Sequence, residues 1–365
     1  MTTAERLIGQ SLAGVYLLEE LIASGSTSMV FRATNRRLDQ PVAVKVLYGS
    51  FTTNASLMSR FEVEARVQAQ LNHPHIVRVF DFISDGGTYA MVMELVEGMV
   101  LDQLLYDVAG PLPPARIKKL VMPVLDALSY AHSKGIVHRD VKPSNIIITE
   151  VDGRDFPKVM DFGIAKVLAE GPSNTAPGAM LGTLLFMSPE QCKALKTVDS
   201  RADIYSLGVT LYQMTTGMVP FYAESAFEIM LAHVQTPPTP PCELVPSLDP
   251  KMEALILKAL SKDAEDRYQT VEELREALKA IDLDAPSTPG GSKNASSKER
   301  EPLKKKSPKP EALPEVRVLP PPTGNFGADE PLLERKHEEA PPLDSATFSA
   351  PAIPPRYSGK QHKPV

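Results

Sequence analysis

The run His138-Arg139-Asp140-Val141-Lys142-Pro143-Ser144-Asn145 is followed by the apolar Ile146-Ile147-Ile148, then by Lys158-Val159-Met160 and Asp161-Phe162-Gly163. Two acids, a lysine and an amide therefore fall on two short loops, separated by β-branched runs with the pattern of a hairpin. An acid held beside a hydroxyl can orient it and accept its proton. A second acid and an amide offer oxygens to a hard divalent cation. A lysine beside them can neutralise charge that develops on a transferred anionic group. This is the equipment for moving a phosphoryl group held by Mg²⁺.

The stretch resembles the catalytic and magnesium loops of the bacterial-type (Hanks-type) serine/threonine protein kinase family, which read H-R-D-L-x-x-x-N and D-F-G. Val141 is a conservative departure, and Lys142-Pro143 is similar to the serine/threonine branch rather than the tyrosine branch. The resemblance implies ATP as phosphoryl donor and protein serine and threonine hydroxyls as acceptors. It implies that Asp140 orients the attacking hydroxyl and that Lys142 neutralises charge on the transferred group. Asn145 and Asp161 would hold Mg²⁺, with Mn²⁺ as an alternative ion.

The elements before this stretch must position the nucleotide. Residues 14–48 alternate apolar strand-like runs with turns: Val15-Tyr16-Leu17-Leu18, Met29-Val30-Phe31-Arg32, and Val42-Ala43-Val44-Lys45. Between the first two, Ile22-Ala23-Ser24-Gly25-Ser26-Thr27-Ser28 stands where the family carries its glycine-rich phosphate loop. Only the middle glycine, Gly25, is present, with Ala23 and Ser28 where the others would be. A left-handed backbone there would be costly without glycine. Lys45 is the expected contact for the α- and β-phosphates. Residues 60–71 have a helical pattern ending before Asn72-His73-Pro74. The family motif R-F-x-x-E-A makes Glu64 the partner of Lys45, with Glu62 the competing carboxylate. Gln68 stands where the family packs a small or apolar residue, which puts the docking of this helix in doubt. His73-Pro74-His75 reads as a turn rather than a metal pair. Strands are expected over 76–82 and 89–95. Met91-Val92-Met93-Glu94-Leu95-Val96 resembles the family's hinge, implying that the backbone of Glu94 and Val96 meets the adenine edge. Val30, Ala43 and Ile147 would then sandwich the ring, with Met93 behind it.

From Leu101 onward the period becomes helical, with Ile117, Leu120, Val121, Val124, Leu125 and Leu128 on one face of a helix over 113–133. The segment 168–181 is polar and punctuated by Gly and Pro, as an activation loop would be. Its hydroxyls are Ser173 and Thr175; a phosphate on Thr175, added in trans by another copy, could pair with Arg139 and order the loop. Gly182-Thr183-Leu184-Leu185-Phe186-Met187-Ser188-Pro189-Glu190 resembles the family's G-T-x-x-Y-M-[SA]-P-E substrate platform, with Thr183 in it. Glu190 should pair with Arg267, since a buried carboxylate needs a fixed cation. Asp203 is expected to anchor the catalytic-loop backbone from a buried helix. Further helices over 252–260 and 271–281 carry the fold past the cluster Pro237-Pro238-Thr239-Pro240-Pro241.

The composition bounds the rest. Hydrophobic content of 43% and charged content of 23% over 365 residues allow a sizeable core. A net charge of -6 argues against nucleic acid or an anionic membrane as partner. Cys192 and Cys242 have no C-x-x-C spacing, so neither a disulfide framework nor a zinc site is expected, and a reducing cytoplasm fits. No signal peptide is apparent at the N-terminus. The apolar run 202–221 is broken by Asp203, Gln213 and Pro220 and reads as a core helix rather than a membrane span. From Ala285 to Val365 there are sixteen prolines and few apolar runs. That composition predicts a disordered tail, with proline-rich pieces that could serve as ligands for a groove. The expected architecture is α+β and bilobal: a small β-rich lobe over about 14–96, a larger helical lobe over about 97–283, and a disordered tail over 284–365. The function expected is that of a serine/threonine protein kinase, with a scaffold that binds partners through an inactive kinase fold as the rival reading.

Overall fold

The computed structural model describes residues 3–25, 27–49, 55–162, 182–195 and 197–282. Gly163, Ser173, Thr175 and the proline-rich tail lie outside them. The first lobe is a six-stranded antiparallel sheet in the order β1-β2-β3-β4-β6-β5. Its strands are β1 (Ser11–Leu12), β2 (Tyr16–Ser24), β3 (Ser28–Asn35), β4 (Gln40–Leu47), β5 (Val79–Asp85) and β6 (Thr88–Glu94). Side chains on a strand alternate between faces, and β4 shows what that achieves. Val42, Val44 and Val46 pack on one face with Leu18, Phe31 and Val92. Ala43 and Leu47 pack on the other with Phe61 and Ala65, which belong to helix α2 (Ala55–Gln68). Lys45 shares the parity of Ala43 and Leu47. A short helix α1 (Thr3–Leu7) precedes the sheet.

Three expectations shift here. The strand expected over 76–82 begins instead at Val79, and Ile76 makes an isolated parallel bridge to Val159. Ile76 is apolar because it is buried in the core of the second lobe, so periodicity alone misplaced it. Helix α2 runs over 55–68, not 60–71, and closes with the Leu71 amide on the Gln68 carbonyl at 3.0 Å. The phosphate loop is shorter than expected, because β2 continues through Ala23, paired with Val30, and β3 starts at Ser28. The turn is closed by the Gly25 amide on the Ser28 carbonyl at 2.8 Å. Neither Ala23, Gly25 nor Ser28 has a positive φ, so the anticipated cost of missing glycines is not incurred at those positions.

The second lobe is helical: α3 (Leu101–Val108), α4 (Pro114–Ser133), α5 (Pro189–Cys192), α6 (Arg201–Thr216), α7 (Ala226–Gln235), α8 (Pro241–Leu244), α9 (Pro250–Ala259) and α10 (Val271–Lys279). A small sheet, β7 (Met99–Val100), β8 (Ile146–Val151) and β9 (Arg154–Val159), lies over it. Helix α6 is buried almost all round. It tolerates that because its hydroxyls are satisfied: Thr210 donates to the Ser206 carbonyl, Thr215 to Leu211, and Thr216 to Tyr212. Pro241 opens α8 and one core continues through Met252, Leu255, Leu274 and Ile281, so the proline cluster does not divide the fold. No described helix is long and apolar enough to cross a membrane.

Candidate active site

The strand parity described above delivers Lys45 to α2. Its Nζ lies 3.2 Å from Glu64 Oε1 and 2.9 Å from Asp161 Oδ1. The competing Glu62 is exposed and pairs with Arg66 on the same helix at 2.7 Å. Burial opposes the charge on Lys45, but Asp161 and Glu64 outweigh it and raise its pKa. Burial likewise works against ionised Asp161, and Lys45 overcomes it, holding the carboxyl below the usual carboxylate range. The lysine is thus a fixed cation between two acids. Asp161 has φ +55°, a left-handed backbone that Asp tolerates better than most residues.

The second loop is built by a single 3₁₀ turn over Pro143–Asn145, after which β8 begins. Asn145 Nδ2 donates to the Asp140 carbonyl at 2.8 Å and to Asp140 Oδ2 at 2.9 Å. Lys142 Nζ lies 3.1 Å from the same Oδ2 and donates to Thr183 Oγ1 at 2.9 Å. The Met160 amide donates to the Asn145 carbonyl at 2.9 Å, which ties the two loops together. Asp140, Lys142, Asn145, Asp161 and Thr183 are therefore one cluster. Asn145 spends its amide nitrogen on Asp140, leaving its oxygen as the donor atom that suits a hard cation. An ionised Asp161 and this amide fit a divalent ion that also binds phosphate oxygens. Among the described residues no group of three or more His, Cys, Asp or Glu gathers as a metal site by itself.

The loop is held from below by Asp203 of α6, as the backbone anchor the sequence suggested. Its carboxylate accepts from the His138 amide at 2.8 Å and the Arg139 amide at 2.7 Å. His132 Nε2 lies 2.7 Å from it too, a partner that sequence reading did not anticipate. Burial pushes the His138 pKa down; its Nε2 meets the Met160 carbonyl at 3.0 Å, and its ring packs tilted against Phe162 with centroids 4.4 Å apart. Arg139 has φ +66°. Its carbonyl accepts from Gln191 at 2.8 Å, its Nη2 donates to the Val198 carbonyl at 3.3 Å, and its buried Nε has no partner among the described residues. Thr175, its expected phosphate-bearing partner, lies outside the described residues. Glu190 receives both terminal nitrogens of Arg267 at 2.8 Å.

Around the face of β4 that carries Lys45, Val30, Ala43, Met93, Val96 and Met160 belong to one apolar cluster. Ile147 is half-buried on β8, opposite Lys158 and Val100, and is not part of that cluster. Glu94 ends β6; its carboxylate takes Lys158 at 2.7 Å and its amide donates to the Arg78 carbonyl at 2.8 Å. Gly98 follows, so close to β8 that a Cβ there would sit 2.3 Å from the Ile148 carbonyl oxygen. Gln68, which had put the docking of α2 in doubt, is fully buried and donates to the Val77 carbonyl at 3.1 Å. Ala23 and Gly25 sit on the β2–β3 hairpin. Between catalytic loop and platform a cavity of about 290 Å³ is lined by Lys142, Ser144, Thr183, Leu185, Phe186 and Gln213, among others.

The protein kinase domain family matches residues 16–278. The chain belongs to the protein kinase family. Among its relatives are serine/threonine-protein kinase pkn3 of Myxococcus xanthus, 39% identical over 76% of this chain and 52% of that one, and PknB of Mycolicibacterium smegmatis, 40% identical over 77% and 45%. Of the solved structures, the Mycobacterium tuberculosis PknI kinase domain superposes with a TM-score of 0.59 at 28% identity, covering 74% of this chain and 97% of that one. The chain spans about half the length of the curated relatives it matches. Membership of the protein kinase family implies use of ATP and a divalent metal, and the acid–amide pair and the fixed lysine of this chain suit them.

Proposed function

We propose that this chain is a serine/threonine protein kinase, transferring the γ-phosphoryl group of ATP to protein hydroxyls, its own included. The observation that carries the reading is the Lys142 ammonium, held between Asp140 and Thr183 at 3.1 and 2.9 Å. It joins a candidate base to the segment that would seat a protein chain. Lys45 would hold the α- and β-phosphates, its reach fixed by Glu64. The Val30, Ala43 and Val96 cluster, with Ile147 opposite, would take the adenine, whose edge would meet the backbone of Glu94 and Val96. Asp140 would orient the acceptor hydroxyl and receive its proton, while Lys142 would offset charge on the transferring group. Asn145 and Asp161 would hold Mg²⁺, or Mn²⁺ in its place; such an ion screens phosphate charge when bound. The scaffold alternative draws no support from the site: Lys45, Glu64, Asp140, Lys142, Asn145 and Asp161 are all present, and each is paired within it.

The kinase domain in this reading covers 14–283, with the region from 284 as a separate tail. Two free cysteines, Cys192 and Cys242, support a cytoplasmic, reducing location. Thr175 would be phosphorylated in trans by a second copy. Purified protein incubated with Mg²⁺ and labelled ATP should label both itself and a generic acceptor, and an Asp161→Asn variant should label neither. Transfer by the variant at the wild-type rate would refute the assigned roles. Mass mapping that finds Thr175 unmodified in the fully active protein would remove the activation-loop switch.

A further inference from the structure

Apolar contacts draw α2 against the sheet: Phe61 and Ala65 pack with Val77, Val79 and Met91, and the Phe61 and Phe82 rings lie 5.8 Å apart. Such burial is non-directional and sets no register along the helix axis. The Lys45 contact needs that register, because a shift of about 1 Å carries the 3.2 Å approach of Glu64 out of hydrogen-bond range. Gln68 supplies a directional contact. It stands four residues after Glu64, on the same face of α2. Its side chain is 0% exposed, so water does not compete for it. Its Nε2 donates to the Val77 carbonyl at 3.1 Å.

Val77 holds the other arm of the site as well. Its amide donates to the Val159 carbonyl at 2.9 Å, and the Val159 amide donates to the His75 carbonyl at 2.8 Å. Val159 ends β9, and the chain runs on through Met160 to Asp161. One residue thus receives α2 through its carbonyl and fixes the strand leading to Asp161 through its amide. The circuit closes at Lys45, whose Nζ meets both Glu64 and Asp161. We propose that Gln68 is a positioning residue for the phosphate-binding lysine, fixing Glu64 relative to Asp161 through Val77. The inference deepens the kinase reading and rests on it. Gln68 Oε1 is buried with no hydrogen-bond partner among the described residues, and such an acceptor opposes stability. Stability and position are therefore separable: Gln68→Met keeps the length of the side chain while losing the donor and the unpaired acceptor together.

The test measures equilibrium binding of ADP with Mg²⁺, and separately of adenosine, to the full chain. ADP carries the α- and β-phosphates that Lys45 would hold, whereas adenosine carries none. Gln68→Met should weaken ADP binding roughly 3–10-fold, the worth of about one net hydrogen bond, and leave adenosine within about twofold of wild type. Its thermal midpoint should stay within about 3 °C of wild type, since the lost donor and the removed unpaired acceptor offset each other. In a Glu64→Ala background the same substitution should change ADP affinity by less than about twofold, because Gln68 acts through Glu64. Unchanged ADP affinity in the single variant, an equal loss of adenosine, or an undiminished loss in the Glu64→Ala background would each overturn the role. A variant too unstable to bind adenosine would make Gln68 a structural residue and overturn it too. Should wild type bind no ADP, the kinase reading falls and this inference with it; ADP binding by wild type with no loss in Gln68→Met removes this inference alone.

Discussion

Arg267 offers the sharpest energetic test. Its guanidinium is buried and uses all its donors: two terminal nitrogens on Glu190 at 2.8 Å, and further bonds to the carbonyls of Ser261, Arg201 and Lys262 at 2.8, 3.0 and 3.0 Å. It also lies 4.9 Å over the Tyr205 ring. Arg267→Met fills much of the volume but leaves Glu190, with a side chain only 12% exposed, without its cation. Removing one partner of a buried pair costs about 3–5 kcal/mol. At about 2–4 °C per kcal/mol for a domain of this size, the thermal midpoint should fall by roughly 6–20 °C. Urea unfolding followed by circular dichroism measures the loss directly. The double variant Glu190→Leu/Arg267→Met removes the stranded charge and should be more stable than Arg267→Met alone, because much of the penalty belongs to the uncompensated carboxylate. A single variant within about 1 kcal/mol of wild type, or a double variant as unstable as the sum of the singles, would refute this account.

Three other outcomes are expected. Asp140→Asn should bind ATP as before but lose about 10²–10⁴-fold in kcat, since the acceptor hydroxyl loses its base; equilibrium nucleotide binding beside turnover checks both halves. In wild type Lys45 holds the Asp161 pKa below its ordinary value, so the contribution of that pair is present above the unfolded carboxylate pKa and lost as pH falls through the lower, folded one. Lys45→Met should therefore weaken nucleotide binding and move the acid limb of the pH–stability curve upward; an unshifted limb would detach Asp161 from Lys45. Gly98→Ala must displace the hinge from β8, because its Cβ would sit 2.3 Å from the Ile148 oxygen. The expected cost is about 1–3 kcal/mol with a raised KM for ATP, and unchanged values for both would show that the hinge has slack.

What could be read from the sequence was whatever one side chain does at a fixed spacing. Lys45, Asp140, Asn145 and Asp161 announce themselves by type and order, and β4 has the alternation that carries Lys45 to α2. The choice between Glu62 and Glu64 came from the resemblance, and in the structure the helix turns Glu62 outward to Arg66. Periodicity failed where a residue serves a different core from its neighbours, as Ile76 does. The loop over 22–28 was placed by resemblance, and it is shorter than expected because Ala23 and Ser28 take ordinary strand backbone. His132, Gln191 and Lys158 carry no role in the motifs read from the sequence, and only the fold shows them meeting partners 71, 52 and 64 residues away respectively. Gln68 was weighed as a polar intruder, and its amide is half satisfied: Nε2 donates to the Val77 carbonyl, while the buried Oε1 has no hydrogen-bond partner among the described residues.

The most deeply buried acid of the site has no assigned part in the chemistry. Asp203 is 1% exposed, and an ionised carboxylate there would be expelled unless donors replaced its water. Three do: the His138 and Arg139 amides and the His132 ring. Two of those donors flank the peptide that leads into Arg139 at φ +66°, a conformation that costs a non-glycine residue about 1–3 kcal/mol. Hydrogen bonds to a charged acceptor contribute about 1.5–3 kcal/mol each, enough to offset that strain. Replacing Asp203 would therefore remove what keeps the loop in its left-handed turn. The next residue in that turn is Asp140, so a buried helix that never touches a substrate fixes where the proposed base can point.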